Sequence, residues 1–74
     1  MPEMTAVDSS WVAAIGYEEN EREVHIALIE GSVYAYGAVP PDVWRLFLAA
    51  DSKGTFVNEV LKPRYEVRKL SSGS

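Results

Sequence analysis

The sequence predicts a small α+β domain: a three-stranded antiparallel β-meander followed by two α-helices packed on one face. Three β-leaning runs separated by turn residues fill the first half, and two apolar stripes at helical spacing follow a Pro-Pro pair. A chain of 74 residues has room for one such two-layer unit.

The first strand is expected over residues 10–17, Ser-Trp-Val-Ala-Ala-Ile-Gly-Tyr, with Glu18-Glu19-Asn20-Glu21 as the turn that follows. In the second, Val24, Ile26 and Leu28 alternate with Glu23, His25 and Ala27, the period-two pattern of a strand with one buried face. Glu30-Gly31-Ser32 supplies a tight turn, because Gly31 takes positive φ at little cost. The third strand, Val33-Tyr34-Ala35-Tyr36, ends at Gly37 and Pro40-Pro41, since proline has no N–H for a ladder.

Pro41 and Asp42 suit the first turn of a helix over residues 41–50, where a missing N–H costs nothing and an acid meets the positive end of the dipole. Val43, Leu46, Phe47 and Ala50 give it an apolar stripe. Asp51-Ser52-Lys53-Gly54 breaks it, and Ser52 is the expected N-cap of a second helix carrying Phe56, Val57, Val60 and Leu61 up to Pro63. Arg64 to Leu70 can extend, and Ser71 to Ser74 has the composition of a flexible end. Trp11, Ile15, Val24, Ile26, Leu28, Val43, Phe47, Val57 and Val60 are the expected core.

Composition removes several function classes. At 47% hydrophobic and 24% charged residues the chain is neither disordered nor fibrous. The absence of cysteine excludes disulfides, thiolate metal sites and cysteine nucleophiles together. No apolar run approaches the ~18 residues of a membrane span, and Met1-Pro2-Glu3-Met4 is not a basic segment leading into an apolar one, so a cytoplasmic protein without a membrane partner is expected. The net charge of −4 is unevenly spread: residues 1–44 hold eight acids and one base, residues 45–74 three acids and six bases. A local basic patch in the second half, rather than the net charge, would set any attraction to phosphates.

An ordered set of short motifs runs through the chain: Ser9-Ser10, Ile15-Gly16-Tyr17, Val24-x-Ile26-x-Leu28, Gly31-x-x-Tyr34-x-Tyr36, Val39-Pro40, Ala49-Ala50-Asp51-Ser52-Lys53-Gly54, Phe56-Val57-Asn58 and Tyr65. In this order they resemble the KTSC family, over roughly residues 8–70. One domain over 8–70 and a tail over 71–74 are therefore expected. The resemblance implies a short bacterial protein, or a domain of the kind found at the C-terminus of some lysyl-tRNA synthetases, marked by a central Tyr-x-Tyr. The family's function is unknown, and RNA binding has been suggested for it because of that attachment. Two departures stand out: Trp44 where a tyrosine is common, and Leu61 where a basic residue often follows the second helix.

Catalytic chemistry finds no purchase. His25 is the only histidine and lacks partners at ligand spacing, so neither a metal site nor a cofactor is expected. Glu18, Glu19, Glu21 and Glu23 lie in or beside a turn where solvation keeps them ordinary acids, Ser9 and Ser10 have no identifiable base, and Gly31, Gly37 and Gly54 form no phosphate loop. Binding chemistry is better represented. A two-residue turn at Glu30-Gly31 would put Tyr34 and Tyr36 on the sheet face away from the helices, an aromatic platform for stacked bases; a three-residue turn sends them under the helices. The need of a small domain for aromatic area favours the second arrangement.

Lys53, Lys62, Arg64, Arg68 and Lys69 cluster in sequence, with Arg64 and Arg68 flanking Tyr65. Asn58, polar in an apolar stretch, either locks a loop backbone or contacts a base. The candidate RNA-binding residues are thus Tyr34, Tyr36, Lys53, Asn58, Lys62, Arg64, Tyr65 and Arg68. The expected protein is a non-catalytic binding module whose partner is single-stranded or transfer RNA, or alternatively another protein or a second copy of itself.

Overall fold

The computed structural model describes residues 2–72. Its elements in chain order are β1 (Met4–Ala6), β2 (Val12–Glu18), β3 (Glu23–Leu28), β4 (Val33–Tyr36), α1 (Pro41–Ala49), α2 (Lys53–Phe56), a π-helical turn (Val57–Leu61), α3 (Lys62–Arg64) and β5 (Val67–Ser71). The last three helical pieces run on without a break in helical dihedrals and act as one second helix. All strands are antiparallel in one five-stranded sheet of order β1-β2-β3-β4-β5.

The expected meander is the centre of this sheet, and the three-strand count is corrected to five. Both added strands are edges that carry no alternating pattern. β1 is only three residues long, and β5 is exposed at four of its five positions, so neither had a buried face to impose period two. Ser71, expected in the tail, is the last residue of β5 and pairs with Val33, while Gly73 and Ser74 lie outside the described residues.

Turn length fixes which side chains meet the helices. Between β2 and β3 the paired Glu18 and Glu23 enclose four residues, an even number, and Ile15 lands opposite Ile26 on the helix-covered face. Between β3 and β4 the Leu28 N–H donates to the Ser32 carbonyl at 2.8 Å, which leaves three residues in the turn. Gly31 occupies it with φ of 110°, a conformation a side chain would strain. The three-residue turn brings Tyr34 opposite Ile26 and Tyr36 opposite Val24, on the helix side of the sheet.

The buried cluster is Val12, Ile15, Val24, Ile26, Tyr36, Val39, Phe47, Val57 and Leu61. Leu28 and Val43, expected in the core, only pack partly buried against it, and Tyr36 and Val39 join it; two local irregularities explain the remaining exchanges, Val12 for Trp11 and Leu61 for Val60. A bulge between Val12 and Ala14 adds one residue to β2, so that Val12 turns inward and Trp11 is left half-buried beside it. In the π turn the Lys62 N–H reaches back to the Val57 carbonyl, five residues away. The wider turn stacks Leu61, rather than Val60, below Val57.

Helix ends follow local chemistry. Ser52 accepts the Thr55 N–H at 3.2 Å, the expected N-cap bond. Tyr65, extended at φ −123° and ψ 147°, closes the second helix through its N–H to the Leu61 carbonyl at 3.0 Å.

Candidate nucleic-acid interface

Because α1 and the second helix both belong to the connection from β4 to β5, they cover the sheet unevenly. Over one end, rings pack in series: Tyr17 stacks on Trp44 at 5.4 Å, Trp44 meets Phe47 edge-on at 5.9 Å, and Phe47 stacks on Phe56 at 5.0 Å. The Tyr17 hydroxyl donates to the Val39 carbonyl at 2.6 Å, which commits its one proton to the fold.

The other end stays open. A cleft of about 330 Å³ lies between the second helix and the sheet, lined by Trp11, Ile26, Leu28, Tyr34, Tyr36, Val57, Lys62 and Val67. Its floor is the core itself, since Ile26, Val57 and Tyr36 are buried. Trp11 forms a wall because buried Gly54 makes room for it: a Cβ at that position would run into the indole Nε1. The Lys62 ammonium stands 5.6 Å from the centroid of Trp11, and the Lys69 ammonium stands 5.6 Å from that of Tyr34. Both distances lie within the ~6 Å range of a cation–π contact. Burial, and secondarily the neighbouring Tyr34, holds the Tyr36 phenol above its ordinary pKa, so it remains a neutral donor at physiological pH.

Of the eight sequence candidates, Tyr34, Tyr36 and Lys62 converge on this cleft. The others do not. Lys53 donates to the carbonyls of Leu48, at 3.0 Å, and Ala50, serving the C-terminal end of α1 where the helix dipole favours a cation. Asn58 lies exposed in a separate polar depression that Lys53 also lines, together with Trp11, Asp8, Ser9, Ser10 and Asp51. Arg64 and Tyr65 border a shallow hollow with Gly37, Ala38 and Glu66, and Tyr65 packs partly against the core.

Arg68 is directed elsewhere. It pairs across Ala35 in a row that continues through His25 to Gly16, on the sheet face away from the helices. There its guanidinium forks onto Glu23 at 2.9–3.2 Å, and Glu23 also meets His25 Nε2 at 3.2 Å. The Arg68 hydrogen bonds, followed by that of His25, outweigh burial and hold the Glu23 carboxyl below its usual range. His25 is buried, and its Nδ1 has no hydrogen-bond partner among the described residues.

Two residues outside the candidate set bear on this site: Trp11, expected in the core, lines the cleft, and Lys69, which nothing in the sequence separates from its basic neighbours, stands over the Tyr34 ring. Lys69 stands opposite Tyr34 in the regular part of the β4–β5 pairing, whose register shift lies beyond it between Val33 and Tyr34, and an exposed edge strand gives no periodic signal from which that pairing can be read.

Comparison with known proteins agrees with the motif order. The family model described as the KTSC domain matches residues 8–65. A protein of Tsukamurella paurometabola is 42% identical over 67 residues, covering 90% of this chain and 100% of its own length. An uncharacterized protein of Stutzerimonas stutzeri is 37% identical over 60 residues, covering 81% of this chain and 84% of its own. A lysine–tRNA ligase of Nostoc punctiforme is 33% identical over 64 residues, which are 86% of this chain and 11% of the ligase. The crystal structure of a KTSC domain protein from Yersinia pestis matches at 32% identity with a TM-score of 0.89, covering 96% of this chain and 100% of that one. Sequence and fold agree over nearly the whole length, and the chain belongs to the KTSC domain family.

Proposed function

We propose that this domain binds single-stranded RNA, without catalysing a reaction on it, through the cleft between the second helix and β4–β5. The observation that carries the reading is the convergence of Trp11, Tyr34 and Tyr36 on one open cleft, with ammonium groups of Lys62 and Lys69 held against two of the rings. Entry of a base displaces an ammonium from a ring face. That forfeits a cation–π contact of about 0.5–1 kcal/mol at an exposed site, whereas stacking a base is worth about 1–3 kcal/mol. The exchange favours the base, and the released ammonium then meets the adjoining phosphate. A relative 33% identical to this chain is a segment of a lysine–tRNA ligase, a protein named for its tRNA, which supports an RNA partner.

Salt-titrated binding of a short single-stranded RNA tests this. Affinity should fall steeply with salt, since each phosphate met by a lysine releases counterion, and it should be greatest at low salt. An absence of binding at ~50 mM salt counts against RNA, because screening of phosphate contacts is weak there.

Self-association or a protein partner ranks second. The open sheet has two edges, but β1 has three residues and β5 carries Arg68 and Lys69, features that blunt pairing between edges.

A further inference from the structure

The two ends of the helix-covered face differ in how they treat a tyrosine hydroxyl. Tyr17 gives its proton to the Val39 carbonyl at 2.6 Å. Tyr36 is only 5% exposed and lines the cleft, yet its hydroxyl bonds no group among the described residues. Buried hydroxyls ordinarily find a partner. One that borders an open cleft has its unused donor and acceptor available to whatever occupies that space.

We infer that the cleft is a pocket for one unpaired nucleobase, in which Trp11 and Tyr34 contact the ring faces and the Tyr36 hydroxyl reads the polar edge. This deepens the RNA reading and rests on it. Volume sets the number of bases: at about 330 Å³ the cleft stands at the low end of the ~300–1,000 Å³ typical of small-molecule sites, enough for one base with part of its sugar. Lining sets the class of occupant. An aliphatic or phenyl anchor from a peptide would fill the space but seal the Tyr36 hydroxyl from water with nothing to bond, whereas every base edge offers ring nitrogens or exocyclic groups. Charge agrees, because Lys62 and Lys69 stand where the flanking phosphates of an inserted base would pass.

A hydroxyl that reads an edge discriminates among bases, as stacking alone does not. The test is the affinity of the intact protein for eight-nucleotide homopolymers of A, C, G and U at ~50 mM salt, a condition of weak screening. Tyr36→Phe, which keeps the ring and removes only the oxygen, is measured beside it. The inference expects one base to be preferred by the wild type, and Tyr36→Phe to lose about tenfold for that base and little for the others. Wild-type affinities and rank order in Tyr36→Phe would overturn the pocket while leaving RNA binding in place. A wild type that binds none of the four would overturn both. A second measurement guards against misfolding of the variant: photocrosslinking of the wild type to a homopolymer carrying a single 4-thiouridine, mapped by mass spectrometry. Crosslinks are expected at Trp11, Tyr34 or Tyr36, and crosslinks confined to other residues would overturn the assignment.

Discussion

Tyr17 on β2 and Tyr34 and Tyr36 on β4 meet the helices on opposite sides of β3, and the two sides behave differently. At the Tyr17 end, Trp44, Phe47 and Phe56 continue the ring series and Val39 takes the hydroxyl, so every ring is spent on packing. Around Tyr34 and Tyr36, helical cover gives way to a cleft, the two hydroxyls bond no group among the described residues, and Lys62 and Lys69 stand at the Trp11 and Tyr34 rings. The same residue type thus holds the domain together at one end and is left available for a ligand at the other. The contrast separates stability from binding along one face of one sheet.

The largest effect that could break this contrast is expected at its packed end. Phe47 is fully buried between two aromatic neighbours, and Phe47→Ala should cost about 3–5 kcal/mol by denaturant unfolding. A small loss would mean that the ring series is not the anchor of the core. Gly54→Ala is intermediate, because its Cβ meets the Trp11 indole. A loss of about 1–3 kcal/mol is expected, with weaker RNA binding as Trp11 is pushed from its wall. Unchanged stability and affinity together would show that Trp11 is not held as described.

A paired comparison sharpens the difference further. Tyr17→Phe should lose about 0.5–1.5 kcal/mol with its hydrogen bond to Val39, whereas Tyr36→Phe should alter stability by less than about 0.5 kcal/mol. Equal losses in thermal or chemical melts would mean that the two hydroxyls are equally engaged.

The smallest effect lies on the opposite face. Glu23 has a carboxyl held below its usual range by Arg68, so it favours the folded state above the ordinary carboxylate pKa of about 4.3, and that contribution is lost as pH falls through the lower folded value. Arg68 is largely exposed, which screens the pair and keeps the effect small. Melting followed from pH 6 downward should show a shallower acid loss in Glu23→Gln than in the wild type, and an identical slope would remove Glu23 from the account.

The central strands and both helices were legible in the sequence because each has a buried face with a regular period: Val24, Ile26 and Leu28 for the sheet, Val43 and Phe47 for α1. Register was the weak link. A bulge before Ala14 and a π turn after Phe56 each add one residue to a period, exchanging Val12 for Trp11 and Leu61 for Val60 in the core. Neither irregularity has a local sequence marker. The candidate site was legible in part for the same reason. The Tyr-x-Tyr strand and Lys62 were identifiable by type, but Lys53, Arg68 and Lys69 look alike in sequence, and only three-dimensional placement separates a helix-end contact, an ion pair with Glu23 and a cleft rim.

The most direct test measures stability and binding on one variant at once. Lys62→Gln with Lys69→Gln removes both rim charges and leaves the packed end untouched. In a salt titration of single-stranded RNA binding, the slope of log affinity against log salt should shrink by about 1.4, at about 0.7 per lost phosphate contact, with a stability loss no larger than the ~1–2 kcal/mol of the two cation–π contacts. A double variant that keeps the wild-type slope would contradict the claim that the open end of the sheet is where RNA binds.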